Sequence, residues 1–402
     1  MTHHTVTLGK VAKIMSGGTP ERTKAAYWNG NIPWVKTAQI QNCTIAAKDI
    51  DEWITQTGLE QSSARMIPKG TILMAMYGQG KTRGQVAILG IDATINQACA
   101  AILLIPGVDR DYIYQQLRYR YDSIRALSNT GSQENLNAEL IREVAFPLPS
   151  QEEQERVAKM LGTWDTAIEK AEQLIAVKER HFSFLLGRLI TSRKESTSWR
   201  QVPIRHIAER IQRQSDGGDY PLLTIASASG FVLQEAKYGR YMAGESAKTY
   251  TLLRTGEFSY NKGNSLRYEF GCVFQLQDYA AALVPSVYVS FRLNESVCAA
   301  YLRHLFSADY LKPQLRALVK TGVRNNGLLN IRPDEFMGTT VPLPPLKDQK
   351  QIADVLDAVR LEITLLLKQV EALKTQKCGL MQKLLTGQWR VSLPAPKEVS
   401  HA

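Results

Sequence analysis

The sequence is poor in the groups that do chemistry and has no segment suited to crossing a membrane. Its 402 residues include only five cysteines, Cys43, Cys99, Cys272, Cys298 and Cys378, and none are spaced as C-x-x-C. A scattered, odd set of this kind excludes a disulfide framework and argues against a zinc site, leaving reduced thiols in cores as the expectation. The six histidines, His3, His4, His181, His206, His304 and His401, have no ligand spacing either, so no metal is expected. No apolar run approaches the ~20 residues of a transmembrane helix. The start, Met1-Thr2-His3-His4, is polar and unlike a signal peptide, so a cytoplasmic location is expected. Acid is scarce relative to base, 38 Asp+Glu against 49 Lys+Arg, net +11, which favours a polyanionic partner.

Catalytic motifs are missing too. Gly80-Lys81-Thr82 imitates the end of a phosphate-binding loop, but Ala75 stands where G-x-x-x-x-G-K-[ST] needs glycine. The following residues, 83–88, read as a strand and not as the helix whose N-terminus would hold phosphate. Neither Gly131-Ser132-Gln133 nor Ser227-Ala228-Ser229-Gly230 fits the G-x-S-x-G elbow of a serine nucleophile. No catalytic residue is assigned.

What the chain does have is an internal repeat. Phe146-Pro147-Leu148-Pro149 recurs as Val341-Pro342-Leu343-Pro344, and at the same offset of 195 Gln154 falls on Gln349, Leu161 on Leu356, Leu189 on Leu384 and Thr191 on Thr386. Leu8-Gly9-Lys10-Val11-Ala12 aligns with Ile204-Arg205-His206-Ile207-Ala208, and Trp199-Arg200 reappears as Trp389-Arg390, giving a circular order. Two copies of one unit in one chain imitate a twofold dimer, the device by which proteins read two half-sites.

Each copy closes on a heptad pattern. Stepping 4, 3, 4, 3, the first seam is Val157, Leu161, Trp164, Ile168, Ala171, Ile175, Lys178, Phe182, Leu185 and Leu189. The second is Ile352, Leu356, Val359, Ile363, Leu366, Val370, Leu373, Lys377, Leu380 and Leu384. A 3.5-residue repeat of this length predicts coiled-coil helices, over 151–190 and 346–385, each about 60 Å long at ~1.5 Å per residue. Pro149 and Pro344 mark their starts, and Gln-Glu-Glu-Gln-Glu at 151–155 suits a positive helix N-terminus. The lone seam lysines either fix the helix register or carry their charge out of the seam along the flexible stem.

Between the helices, residues 1–150 and 196–345 read as mixed α/β. Strand patterns fall at 70–76, 85–89 and 286–291, and helical stretches at Tyr112 to Leu127 and Ala299 to Leu318. The expected fold is therefore α+β. Two mixed α/β domains (1–150 and 196–345) are joined by a central long helix (151–195) and a C-terminal one (346–390), with a tail at 391–402. The helices are expected to be antiparallel, in a pseudo-twofold circular repeat.

The order domain, helix, domain, helix, with Pro-Leu-Pro and Gln-x-x-Ile/Val-Ala-x-x-Leu helix starts, resembles the specificity subunit of type I restriction-modification systems. Ile32-Pro33-Trp34-Val35-Lys36, Ile67 to Leu73 and Ile95-Asn96-Gln97-Ala98 resemble its target-recognition domains, as do Thr255 to Gly263 and Leu283 to Val289 in the second copy. The resemblance implies a non-catalytic DNA-reading chain, each domain contacting half of an asymmetric bipartite site on double-stranded DNA. The helices would set the unread spacer and dock methyltransferase (modification) subunits, joined by motor-nuclease (restriction) subunits. No cofactor is expected on this chain; the complex would use S-adenosylmethionine, ATP and Mg2+. A fused-type or solitary methyltransferase system with the same specificity chain is the alternative within this class. The Asn-Pro-Pro-Tyr or Asp-Pro-Pro-Tyr segment of amino-methyltransferases is absent. Outside this class stand a self-contained enzyme, for which no active site is found, and a coiled-coil adaptor touching DNA through charge alone.

Residue chemistry nominates the DNA contacts, because Arg and Lys donate to guanine edges while Asn and Gln pair bidentately with adenine. Candidates in the first domain are Lys36, Gln39, Tyr77, Gln79, Lys81, Thr82, Arg83, Gln85, Ser132 and Gln133; in the second they are Arg240, Tyr260, Asn261, Lys262, Asn264, Ser265, Arg267, Arg324, Asn325 and Asn326. Glycine-rich loops bring backbone close to phosphate, so some of these position the duplex without reading it. The interiors differ between copies, which predicts two different half-sites.

Overall fold

A computed structural model describes residues 4–78, 80–128, 135–191, 199–239, 249–263, 265–319 and 328–391. The chain forms two compact units, one of residues 1–172 with 368–402, the other of residues 173–367. Each long helix, Gln151–Leu186 and Leu346–Leu385, contributes one part to each unit.

In the first unit a five-stranded sheet runs in the order Ala12–Ser16, Cys99–Leu104, Ile72–Ala75, Val86–Leu89, Thr44–Ile45. All neighbours are antiparallel except the last pair. Both faces are covered, which explains the unbroken apolar run Ile72-Leu73-Met74-Ala75. Ile72, Met74, Ala100 and Ile102 face a core with Tyr112, Leu117, Leu161 and Leu384. Leu73, Ala75, Ala87 and Ala101 face a separate core with Val35, Ile40, Ile67 and Ile95.

The second unit repeats the sheet order with Ala208–Ile211, Val289–Leu293, Phe258–Asn261 and Cys272–Gln275, all antiparallel. Its core is aromatic. Phe258 stacks on Phe291 at 5.4 Å and Tyr260 on Phe336 at 4.3 Å. Gly271, at φ +87°, leaves room for that arrangement, since a Cβ there would lie 2.6 Å from Cε2 of Tyr260. The terminal strands also match between units: Thr5–Thr7 pairs with Ala145–Pro147, and Arg200–Pro203 with Thr340–Leu343.

Three local expectations are revised. Tyr112 to Leu127 forms two helices, Arg110–Tyr119 and Tyr121–Leu127, broken where Arg120 leaves helical geometry. The stretch from Ala299 to Leu318 breaks likewise, into Ala299–Ser307 and Lys312–Leu318, with Asp309 at φ +52° between them. Residues 286–288 form a turn before the strand at Val289, because the Tyr288 N–H donates to Pro285 O at 3.0 Å.

Every seam position is buried or half-buried. In the first unit the early part of the first helix and the late part of the second run antiparallel, with Asp165 against Lys377 and Glu172 against Lys374. In the second unit Lys178 meets Glu362 and Glu179 meets Arg360, again antiparallel. The two seam lysines behave differently. Lys377 is 5% exposed and inside an ion-paired cluster, whereas Lys178 carries its charge to Glu362 at the seam's edge, 2.8 Å away.

One buried device appears in both units. Gln154 accepts from the Asp109 N–H at 2.9 Å and donates to Pro149 O at 2.9 Å, while Gln349 accepts from the Cys298 N–H at 2.8 Å and donates to Pro344 O at 2.8 Å. The hydroxyls of Tyr112 and Tyr301 close the same corner on Pro147 O and Pro342 O. Each glutamine thus ties the start of a long helix to the start of a domain helix. Gln349→Ala is expected to cost about 2 kcal/mol, because it strands a buried donor and a buried acceptor together. Gln349→Glu, which keeps the acceptor but turns a lone pair on Pro344 O, should do no better. Urea denaturation checks this, and midpoints unchanged in both variants would refute it.

Candidate nucleic-acid interface

In the first unit the candidate loop, residues 76–85, leaves the sheet at Ala75 and returns at Val86. Its base is closed by Ala75 N–H to Gln85 O at 2.9 Å and Gly84 N–H to Ala75 O at 2.8 Å. Gly80 at φ +61° and Gly84 at φ +86° supply left-handed backbone, which L side chains adopt only with strain. The tip is held from the helix Tyr121–Leu127. The Tyr121 hydroxyl donates to Lys81 O at 2.6 Å, and Arg125 Nη1 donates to Gly80 O at 2.6 Å and to the Tyr121 hydroxyl. These bonds fix the loop's carbonyls from behind. Lys81 and Tyr77 are exposed, and Thr82, Arg83 and Gln85 are half-buried.

Lys36 and Gln39 are already engaged by nearby acids. Lys36 Nζ pairs with Asp51 at 2.8 Å and Glu52 at 2.5 Å, and the hydrogen bond it donates to Asp51 is the main cause of its raised pKa. Gln39 donates to Asp51 at 2.7 Å and to Asp49 O at 3.1 Å. Their polar atoms stabilise the segment that follows the strand Trp28–Val35.

In the second unit the equivalent loop follows Phe258–Asn261. Asn261 Oδ1 accepts from the Gly263 N–H at 2.9 Å, and Leu329 N–H donates to Lys262 O at 3.1 Å, tying the loop to the segment at 328–329. Ser265 caps the turn through the Tyr268 N–H at 3.1 Å, and exposed Arg267 lies over the Tyr268 ring at 5.3 Å. Asn261 and Ser265 line a cleft of about 400 Å³ with Lys237, Tyr238, Tyr250 and Tyr288. Tyr238 is 51% exposed, an aromatic face beside a cation, a combination suited to sugar or base.

Tyr260 must be corrected. It is fully buried, its ring on Phe336 and its hydroxyl on Phe270 O at 2.8 Å, so it builds the core and reads nothing. Its position alternates with Asn261 on one strand, and the pleat sends the two side chains to opposite faces. Gln79, Ser132, Gln133, Arg240, Asn264, Arg324, Asn325 and Asn326 lie outside the described residues. The supporting residues Tyr121, Arg125, Lys237, Tyr238 and Tyr250 were missed. Only the first pair had a sequence signal, Tyr and Arg four apart on a helix.

Burial raises the thiol pKa of Cys272 to about 12, and that of Cys99 further still. Among the described residues no group of three His, Cys, Asp or Glu could hold a metal, and no helix is long and apolar enough to cross a membrane.

Asp309 carries a perturbed carboxyl. Burial raises its pKa to about 6, against the opposing pull of Lys312, with Glu269 adding to the rise. A folded pKa above the ordinary value means the ionised form is penalised at pH values above 6 and the penalty is absent below about 4. Asp309→Asn removes it and keeps a residue tolerant of φ +52°. The variant is expected to gain about 1 kcal/mol at pH 7.5, less than the ~3 kcal/mol of a two-unit shift because the carboxyl is part-exposed. Thermal melts at pH 7.5 and 4 test the sign; a gain persisting at pH 4 refutes the assignment.

Residues 2–179 match the model of the type I restriction modification DNA specificity domain. The chain is 29% identical over 173 residues to the type I restriction enzyme MjaIX specificity subunit of Methanocaldococcus jannaschii, covering 42% of this chain and 39% of that protein. It is 26% identical over 201 residues to the EcoR124I/EcoR124II specificity subunit of Escherichia coli, covering 48% and 49%. These two matches thus span less than half of each relative. A longer alignment, 21% identical and covering 96% of this chain and 89% of the other, joins it to the EcoKI specificity subunit of E. coli K12. Its fold is similar to the crystal structure of the S subunit of a type I system from M. genitalium, with a TM-score of 0.59 at 14% identity, covering 96% and 99% of the two chains.

Proposed function

We propose, from the premise that this chain belongs through residues 2–179 to the type I restriction-modification DNA specificity family, that it is the sequence-reading chain of such a complex. The observation that carries the reading is the pair of units with one sheet order and one glutamine-tyrosine corner, but different loops at the equivalent place. Gly78 to Arg83 in one and Lys262 to Arg267 in the other offer different donor and acceptor sets. A shared frame with different loops suits two unlike half-sites on double-stranded DNA. Phosphate contacts from the basic excess supply affinity, and the loop side chains supply discrimination.

The chain itself performs no reaction in this reading. Methyltransferase subunits dock on the long helices, whose outward residues Val177, Phe184, Leu361 and Leu365 are 49%, 60%, 59% and 55% exposed. Those subunits bring S-adenosylmethionine for adenine methylation, and motor-nuclease subunits bring ATP and Mg2+ for cleavage. The test is to express the chain with its methyltransferase subunit in a methylation-free host and map methylated adenines. A bipartite, asymmetric motif with an unread spacer is expected. No motif from a well-assembled complex would overturn the reading in favour of an adaptor.

A further inference from the structure

The two long helices are related by the 195-residue offset, yet the charges on their pairing faces are opposite. Asp165 corresponds to Arg360, and Glu179 to Lys374. Glu172 corresponds to the uncharged Leu367, and Phe182 to Lys377. In the first unit Lys374 bonds Glu172 at 2.9 Å, and Lys377 bonds Asp165 at 2.6 Å. In the second, Arg360 pairs with Glu179 at 3.3 Å and lies 4.0 Å over the Phe182 ring. In these pairs the acid is on the first helix and the base on the second; Lys178 with Glu362 runs the other way, and its counterparts at the repeat offset, Leu373 and Ala167, are uncharged, so it adds no like-charge contact to either self-pair.

Replacing each helix by a copy of the other shows what this distribution prevents. Were the second helix replaced by another first helix, Lys374 would become Glu179, set against Glu172, and Arg360 would become Asp165, set against Glu179. Were the first replaced by another second, Glu179 would become Lys374 against Arg360, and Asp165 would become Arg360 against Lys377. Both self-pairs put like charges together, and only the mixed pair neutralises them. Charges flanking a coiled-coil seam choose partners in this way, the repulsion in the wrong pair counting as much as the attraction in the right one.

We infer that the pairing faces of the two long helices form a charge code that admits one first helix with one second helix and rejects a second copy of either. The code keeps one of each unit together, which in the function proposed above is what makes the site asymmetric. The partner each helix face fits is the other half of this chain.

The test uses full-length variants and leaves Asp165 and the buried Lys377 in place. Variant A carries Glu172→Lys and Glu179→Lys; variant B carries Arg360→Glu and Lys374→Glu; a third carries all four changes. A and B are each expected to melt several degrees below the native chain, and the third to recover. Refolded together in equal amounts, A and B should form a 1:1 species of twice the chain's mass by light scattering, since the first helix of A then suits the second helix of B. The native chain treated alike stays single. Failure of the fourfold variant to recover, melts of A and B equal to the native one, absence of the 1:1 species, or self-association of A or B as strong as their mutual association each overturn the inference. No DNA enters the readout, so its failure leaves the reading of DNA untouched.

Discussion

Asp165→Ala is expected to destabilise the first unit by about 3 kcal/mol, the largest single-residue effect anticipated. Its carboxylate accepts from Lys377 at 2.6 Å, from Arg118 at 2.9 and 3.0 Å, and from Gln115 at 2.7 Å. Lys377 is 5% exposed, and burial is the first cause of its lowered pKa, so the ammonium depends on Asp165 to remain charged there. Removing one partner of a buried pair leaves an uncompensated charge, at a cost of ~3–5 kcal/mol; the lower end applies because the Asp165 side chain is 32% exposed. Lys377→Met in the Asp165→Ala background should return part of the loss, since the stranded charge goes with it. Urea unfolding followed by a probe in the first unit decides the matter. A single variant within 1 kcal/mol of native, or a double variant worse than the single, would show that the cluster is solvated and contributes little.

Lys81→Ala with Arg83→Ala is expected to abolish one half-site preference and spare the other. A bidentate contact to a base edge discriminates by ~1–3 kcal/mol, so losing two corresponds to roughly a hundredfold loss of preference at the affected half. The loop base, closed through Ala75, Gly84 and Gln85, and the Tyr121 and Arg125 bonds to loop carbonyls do not involve the truncated side chains. The loop should therefore keep its shape. Competition binding with duplexes altered in one half-site at a time, at fixed salt, separates the outcomes. Equal loss across all sequences would mean that these residues hold phosphate, and loss at both half-sites would mean that the loops are not independent readers.

The helices, the duplication and the units' common frame were legible in the sequence because each rests on periodicity or repetition. A 3.5-residue seam survives any loop variation, and Val157, Leu161, Ile352 and Leu356 are buried as that period requires. The apolar run at 72–75 was legible as a strand, whereas the covering of both its faces came only with the fold. Side-chain direction was not legible. Tyr260 and Asn261 are neighbours of similar promise in composition, yet one is core and the other lines the cleft, a matter of strand pleat and register. Lys36 was nominated on residue type alone, and only folding sets Asp51 and Glu52 beside it.

The sequence by itself determined that this protein is a duplicated pair of mixed α/β units on two heptad helices, because hydrophobic period and repeat length are properties of the linear chain. Tertiary structure alone decided which polar residues are available. Tyr121 and Arg125 are some 40 residues from the carbonyls they hold, and Asp165 meets Lys377 across 212 positions. Whether a charge faces solvent, a partner helix or a buried counter-ion depends on what the folded chain sets beside it.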